Sequence, residues 1–217
     1  MRLLPFEYAV RNLTRSKLRL SMSLGGSAIV VLLVVSACAF VRGMEQSLMR
    51  SGSPHNVILL GAGSEESVER SEVGASVPGQ VAASIPGIRS KLGVPFVSPE
   101  AHMALTLATA PDGPSDAQAV FRGVTSSAFL VHPQVRITAG RVFAPGRDEV
   151  IIGALAATRL GLPEQDLAVG RRIRVDGREW QIVGRFEAPS TVMDAEIWCP
   201  LTSLQILTRR DSLSCVV

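Results

Sequence analysis

The sequence predicts an α+β protein in which one N-terminal transmembrane helix precedes a mixed α/β extracytoplasmic core domain. Three observations support this fold class: residues 20–41 carry no charge, the residues before them are strongly basic, and the remainder alternates short strand-like and helix-like runs. We divide the chain into a cytoplasmic basic amphipathic segment (1–19), a transmembrane helix (20–42) and an extracytoplasmic core domain (43–217).

The basic segment 1–19 mixes leucines and other apolar residues with arginines. This pattern is typical of a short amphipathic helix on the inner membrane surface, and Pro5 suits a first helical turn. The alternative is that these residues only flank an insertion signal.

The uncharged stretch is long enough to cross a bilayer. Its twenty-two residues would reach about 33 Å as a helix, against a hydrocarbon core of roughly 30 Å. A cleaved signal is the alternative, because Val35-Ser36-Ala37-Cys38 resembles a lipoprotein cleavage box and Ala37-Cys38-Ala39 is an A-x-A pattern. Signal-peptide apolar regions span only about 7–15 residues after a short basic start, so we favour the retained anchor.

Charge predicts the orientation of this helix. The residues before it carry a clear basic excess, whereas Arg42, Glu45 and Arg50 nearly cancel after it. The positive-inside rule therefore places the N-terminus in the cytoplasm and the main domain outside, at the cell inner membrane. The formal net charge of +3 lies largely in the leader, so we expect contact with membrane lipid and not with nucleic acid.

Small residues share one face of the predicted span, among them Gly25, Ala28 and Ser36. Small residues at three- and four-residue steps let a second helix approach closely, so this face predicts helix packing. The alternative is chance, since glycine and serine are common in membrane helices.

The domain after the span reads as alternating short elements. The polar, glutamate-rich stretch 61–79 predicts a mobile loop. Apolar runs bounded by glycine and proline predict the other elements: strands at 56–60, 94–97, 104–108, 119–124, 135–138, 149–152, 195–199 and 214–217, and helices at 80–85, 154–160 and 201–207.

The strongest local signal is a hairpin in the stretch RRIRVDGREWQIVGRF. Apolar and charged residues alternate on both sides of Asp176-Gly177. A two-residue Asp-Gly loop between alternating runs predicts a β-hairpin with a type I′ turn.

No catalytic or cofactor motif is found. The glycine-rich run Gly61-Ala62-Gly63-Ser64 lacks the lysine of a phosphate-binding loop, and the sequence has no G-x-S-x-G elbow. The histidines at 55, 102 and 132 are far apart in sequence, so we expect no metal site. We expect the acids Asp148, Glu149, Asp194 and Glu196 to be solvated or capping residues.

Two of the cysteines could form a disulfide bond. Cys199 and Cys215 would lie in an oxidising compartment under the predicted topology, so a disulfide between them is allowed. Its geometry is not specified by the sequence. Cys38 is expected to lie in lipid as a small apolar residue.

Two stretches carry a family resemblance. The stretch EYAVRNLTRSKLRLSMSLGGSAIVVLLVVSACAFVRGMEQSL resembles the first transmembrane segment of MacB/FtsX-type ABC transporter permeases. The stretches FRGVTSSAFLVHPQVRITAGRVFAPGRDEVIIGALAATRLGL and AVGRRIRVDGREWQIVGRFEA resemble the extracytoplasmic core domain of the same family. The matching elements are Arg122-Gly123-Val124, Gly140-Arg141-Val142-Phe143, Glu149-Val150-Ile151-Ile152-Gly153, Gly170 and Val183-Gly184.

The resemblance implies a mechanical, non-catalytic role. Such permeases pair two copies with cytoplasmic ABC ATPase subunits and transmit ATP-driven motion to the outer domain, for export or extraction of an envelope substrate. Family members continue into three further membrane helices, whereas this sequence stops at Val217. The resemblance therefore implies a truncated, split or partial permease that works with a second permease copy or the missing transmembrane half. A single-pass or lipid-anchored binding or regulatory domain without transport is the alternative.

Overall fold

The computed structural model describes residues 17–53, 55–109 and 117–217. The chain forms two compact units, Met1–Ser47 and Leu48–Val217, and each is described by itself. The amphipathic helix predicted in segment 1–19 lies almost wholly outside the described residues.

The first unit consists, in its described part, of a long helix. Helix α1 covers Lys17–Ser51, 35 residues, and would be about 52 Å long at 1.5 Å per residue. Its stretch Leu20–Gln46, 27 residues, is long and apolar enough to cross a membrane by length and composition. Apolar side chains such as Leu33 and Phe40 are exposed around it. The helix continues beyond residue 42, the predicted end of the membrane span, to Ser51, as the apolar repeat of Met44 and Leu48 before Gly52 indicates.

The second unit is a mixed α+β domain, which confirms the predicted fold class. Its helices and strands are, in chain order, β1 (Leu59–Leu60), α2 (Val77–Ser84), β2 (Ser90–Lys91), β3 (Val94–Pro95), β4 (Pro99–Ala108), β5 (Ala117–Val124), α3 (Ala128–Val131), β6 (Arg136–Gly140), β7 (Glu149–Gly153), α4 (Ala156–Leu160), β8 (Arg172–Val175), β9 (Arg178–Glu187), β10 (Ile197–Pro200), α5 (Leu201–Thr208) and β11 (Cys215–Val216). The described residues also form three 3₁₀ turns, at Val68–Arg70, Glu164–Leu167 and Val192–Ala195.

Six strands close into a small barrel. Strand β4 pairs with β5, β5 with β10, β10 with β7, β7 with β9, β9 with β8, and β8 again with β4. The β5–β10 and β7–β9 pairs are parallel and the other four are antiparallel. Strands β11 and β1 extend the sheet from the beginning of β4, and β6 extends it from β9. Closure leaves few unpaired edges, which limits edge-to-edge association.

Alternation along the strands gives the sheet two apolar faces. Inward side chains such as Leu107, Phe121 and Ile197 fill the barrel and are fully buried. Outward side chains including Ile151, Phe186 and Trp198 form a second core with residues of α3 and nearby loops. The polar residues described below lie beside this second core.

The polar stretch 61–79 is anchored to the domain by backbone and side-chain contacts, including hydrogen bonds from Arg210 to the backbone oxygens of Glu69 and Ser71. Val73 and Ser71 are buried, and Val73 forms a two-way backbone bridge with Leu213, with both N–H···O distances 2.8 Å. The stretch also contains the 3₁₀ turn Val68–Arg70 and the start of α2. These contacts hold the stretch to the domain at several residues, and its mobility elsewhere stays a prediction.

The hairpin β8–β9 is joined by Asp176 and Gly177. Both residues have positive φ, 46° and 80° respectively, and Val175 pairs with Arg178 directly before and after them. Left-handed φ at both central positions is what a type I′ turn requires, and a glycine accepts it without steric cost.

Candidate functional site

Strand register brings a row of polar side chains together on the outer face of the barrel. His102 of β4 is opposite Arg122 of β5, and Arg122 is opposite Trp198 of β10. One step along, Glu100 of β4 is opposite Cys215 of β11. Residues that are far apart in sequence therefore become neighbours, because paired side chains on one face lie about 5 Å apart.

Arg122 is the centre of a buried ion network. Its Nε and Nη2 donate to the two carboxylate oxygens of Glu196, each at 2.7 Å, and its Nη1 donates to Glu100 Oε2 at 2.7 Å. Trp198 Nε1 donates to Glu196 Oε2 at 2.9 Å, and the guanidinium carbon lies 5.4 Å from the centre of the Trp198 ring. All three charged residues are buried. The paired fork geometry is the arrangement in which arginine binds carboxylate most strongly.

Two histidines complete the network around Glu100. His132, which directly follows α3, lies with Nε2 2.7 Å from Glu100 Oε1. His102 Nε2 lies 3.5 Å from Glu100 Oε2. His55, in contrast, is exposed and lies elsewhere, beside an apolar groove. Of the three histidines that are far apart in sequence, His102 and His132 therefore meet at Glu100.

The pKa values follow from burial and from the guanidinium. Burial alone would raise the pKa of Glu100 and of Glu196, but Arg122 outweighs it and holds both below the ordinary value, with help from the histidine bonds at Glu100. Burial and Arg122 together lower the pKa of His102. Glu100 and Glu196 are therefore anionic and His102 is neutral near pH 7.

The two buried cysteines lie on opposite faces of the sheet as free thiols. Cys199 faces the barrel interior, and burial raises its pKa well above the ordinary value. Cys215 faces outward beside the network, with Sγ 3.8 Å from His102 Nε2, and burial raises its pKa to about 12. The disulfide that the sequence allowed between them is not formed, because the sheet separates the two sulfur atoms.

A further buried carboxylate, that of Glu149, organises the turn before β7. Glu149 accepts two hydrogen bonds from Arg141, each at 2.7 Å, and one from the Ala144 N–H at 2.8 Å. Our interpretation of the acids as solvated is wrong for Glu149 and Glu196, which pair with arginines. Asp194 is buried and accepts a bond from the Ala188 N–H at 2.6 Å, whereas Asp148 pairs with Arg178 nearer the surface.

An apolar groove of about 710 Å³ lies in the second unit beside α2, α3 and β1. Ile85, Phe96 and Val131 contribute to its apolar wall, and His55, Arg89 and Lys91 contribute polar groups. A concave, largely apolar surface with a few polar groups is the usual form of a small-molecule site.

The small residues predicted to pack lie on α1. Gly25, Ala28 and Ser36 belong to the uninterrupted helix, and a methyl group added at Gly25 would meet nothing within 4 Å. Their role in helix packing stays a prediction.

The sequence interpretation missed the ion network because it began strand β4 too late. Starting the strand at residue 104 left Glu100 and His102 in a loop, whereas β4 begins at Pro99. Once the strand includes them, their spacing of two residues predicts a shared face. The pairing with Cys215 and Arg122 depends on long-range register, which local sequence does not carry.

Comparison with known proteins agrees with this architecture. A family model described as the MacB-like periplasmic core domain matches residues 20–217. The fold is similar to the extracellular domain of the noncanonic ABC-type transporter YknZ from Gram-positive bacteria, with 15% identity and a TM-score of 0.54, covering 73% of this chain and 79% of that one. It is also similar to the periplasmic region of MacB from Actinobacillus actinomycetemcomitans, with 14% identity and a TM-score of 0.51, covering 73% and 71%.

Among curated proteins, none matches the chain. The structural likeness, at these identities, shows a shared fold, whereas the family match extends over the apolar helix and the domain alike. The chain belongs to the family of the MacB-like periplasmic core domain.

Proposed function

We propose that this chain is a permease component of a MacB/FtsX-type ABC transporter, which passes ATP-driven motion across the membrane to its outer domain for export or extraction of an envelope substrate. The observation that carries the proposal is the family match over residues 20–217, which includes both the apolar helix and the barrel domain. The chain itself would be non-catalytic, with ATP hydrolysed by a separate cytoplasmic subunit.

The helix has the properties that such a role needs. It is longer than the roughly 30 Å hydrocarbon core, and it continues without a break to Ser51, past Leu48, where the second unit begins. A continuous helix resists bending, so displacement of its inner end would reach its outer end. The basic residues before the span favour a cytoplasmic N-terminus and an extracytoplasmic domain at the inner membrane.

The segment after the helix is tied to the ion network through two hydrogen bonds. Asn56 Nδ2 donates to the backbone oxygen of Val131 at 2.9 Å. The next residue, His132, is bonded to Glu100 on β4. Motion arriving at Asn56 would therefore act on α3 and on the outer face of the barrel.

The exposed surface of α1 is the basis for the proposed partners. Apolar side chains on every side of a helix need lipid or other membrane helices around them. We assign the face of Gly25, Ala28 and Ser36 to a second permease copy or to the remaining transmembrane half, and the opposite face to lipid.

Substitutions on the two faces test this assignment. Gly25→Leu and Ala28→Leu should weaken co-purification with a second tagged copy or with an ATPase subunit, because bulky side chains separate the backbones. Val30→Leu and Val34→Leu place the same leucine side chain on the opposite side and should leave capture intact. All four variants should still insert into the membrane.

Equal retention of partners by all four variants would remove the packing face. A wild-type chain that captures neither partner would instead support the alternative of a single-pass or lipid-anchored binding domain. Reporter fusions at the two termini would check orientation independently, and an outer reporter at the N-terminus would contradict the proposed topology.

A further inference from the structure

Three side chains with different donor atoms converge beside Arg122. A carboxylate oxygen of Glu100, an imidazole nitrogen of His102 and Sγ of Cys215 all lie within 4.8 Å of one another. His102 Nε2 is 3.5 Å from Glu100 Oε2 and 3.8 Å from Cys215 Sγ. These three residues are called the donor cluster below.

Two of the three donor separations in the cluster are close to those of a tetrahedral metal centre. Zinc binds oxygen and nitrogen at about 2.0–2.1 Å and sulfur at about 2.3 Å, so two of its ligands lie roughly 3.3–3.6 Å apart. The separations of 3.5 and 3.8 Å in the structure are within a few tenths of an ångström of that range. A cation could therefore be bound with side-chain adjustments alone.

The backbone holds the donor cluster in place. Glu100 and Cys215 are directly paired across β4 and β11, and the N–H of His102 donates to Ser214 Oγ at 2.9 Å. Donors on paired strands are positioned more precisely than donors on loops, which favours binding over a chance encounter of side chains.

The surrounding charges also favour a divalent cation. Glu100 and Glu196 share one guanidinium, that of Arg122, so these three groups carry a net negative charge. On binding, the Cys215 thiol would release its proton to solvent. The new thiolate would add a second negative charge to the one left by Glu100, Glu196 and Arg122, and a divalent cation would neutralise both. His132, bonded to the other oxygen of Glu100, would orient that ligand as outer-shell groups do in metal sites.

We propose that Glu100, His102 and Cys215 form a Zn²⁺ site on the outer face of the barrel, with a fourth position reached from the partly exposed side of His102. A thiolate, an imidazole and a carboxylate select zinc over magnesium or calcium, which prefer oxygen ligands alone. The bound ion would link β11 to β4. This inference does not depend on the transport role proposed above.

Metal titration of the full chain in detergent tests the site. The chain would carry a histidine-free tag, be stripped with a chelator and kept reduced, and receive Zn²⁺ or Co²⁺ alone. We expect one equivalent of Zn²⁺ to be retained, and Co²⁺ to give both the visible bands of a tetrahedral site and a sulfur-to-metal charge-transfer band.

Matched variants identify the ligands. Cys215→Ser should abolish the charge-transfer band, and His102→Gln should weaken Zn²⁺ binding by at least about tenfold, as even outer-shell changes do. Cys38→Ser, Cys199→Ser and His55→Gln remove the same residue types elsewhere and should leave binding unchanged. Tryptophan fluorescence would confirm that each variant is folded.

Two results would overturn the proposal. One is a wild-type chain that retains no Zn²⁺ after desalting. The other is Co²⁺ bound without a charge-transfer band, or with a band that survives Cys215→Ser. If Cys215→Ser does not fold, His102→Gln decides the question, because its side chain is partly exposed.

Discussion

Removing Arg122 tests the ion network directly. In Arg122→Met, Glu196 loses both bonds of its fork and keeps only the one from Trp198 Nε1, while Glu100 loses its guanidinium and keeps the bond to His132. Two carboxylates that are buried in the native domain would then lack their opposite charge.

The structure sets the size of the expected effect. Breaking a buried ion pair from one side costs about 3–5 kcal/mol, because it leaves an uncompensated buried charge. Three charge-assisted bonds are lost here, but proton uptake by a stranded carboxylate limits the damage. We therefore expect the free energy of unfolding to fall by about 3–5 kcal/mol at pH 7. Arg122→Lys keeps the charge but not the fork, and we expect it to restore only part of this loss.

Urea denaturation followed by tryptophan fluorescence suits this measurement, because the two tryptophans are both in the domain and both buried. Arg172→Met is the control, since Arg172 and Glu179 form an exposed pair at 3.3 Å, and such pairs are worth about 0–1 kcal/mol. A loss below about 1 kcal/mol for Arg122→Met, similar to the control, would refute the reasoning.

Two further predictions concern local features of the domain. Gly177→Val should lower the free energy of unfolding by about 1–3 kcal/mol, because φ at this position is +80°. The control is Gly79→Ala, on helix α2 with open space around it, which should not lower the free energy of unfolding. Equal urea midpoints for the two variants would contradict the assigned turn. Glu149→Gln should destabilise the domain at pH 7, because the hydrogen bonds from Arg141 lower the pKa of Glu149 to about 2. The stabilisation by Glu149 is complete above its ordinary pKa of 4.5 and is lost as the pH falls toward 2. The difference in free energy of unfolding between wild type and Glu149→Gln should therefore shrink between these two pH values. A difference that stays constant with pH would contradict this prediction.

Local sequence was sufficient to predict most elements, because their signals are local. The hairpin β8–β9 lies where alternation and the Asp-Gly pair predicted it, and helix α5 covers Leu201–Thr208 against a predicted 201–207. The apolar helix was equally predictable, since an apolar stretch of twenty-two residues without a charge has few structures open to it other than a helix long enough to span a membrane.

Closure of the barrel and the ion network could not be predicted in the same way. Both depend on pairings between strands that are distant in the chain, such as Leu107 with Val175 and Arg122 with Trp198. Because side chains alternate with a period of two, a shift of one residue would have put Arg122 inside the barrel. Residue type alone also misled us at Glu149 and Glu196, because a glutamate is usually exposed unless an arginine neutralises it.

The network is better understood as a means of fixing geometry than as a source of net stability. Well-packed apolar residues in place of a buried ion pair often leave a protein equally stable, so the presence of the pair does not explain stability by itself. Arg122, however, binds two carboxylates at once, one on β4 and one directly before β10. Apolar contacts tolerate small shifts between strands. The two bonds from Arg122 to Glu196 and its third bond to Glu100, each 2.7 Å, instead allow one alignment of β4 and β10. That alignment also sets the position of Glu100, to which the segment after the apolar helix is connected through His132 and Asn56. A fixed connection at this place transmits displacement instead of absorbing it, which is the property that the proposed role requires of the outer domain.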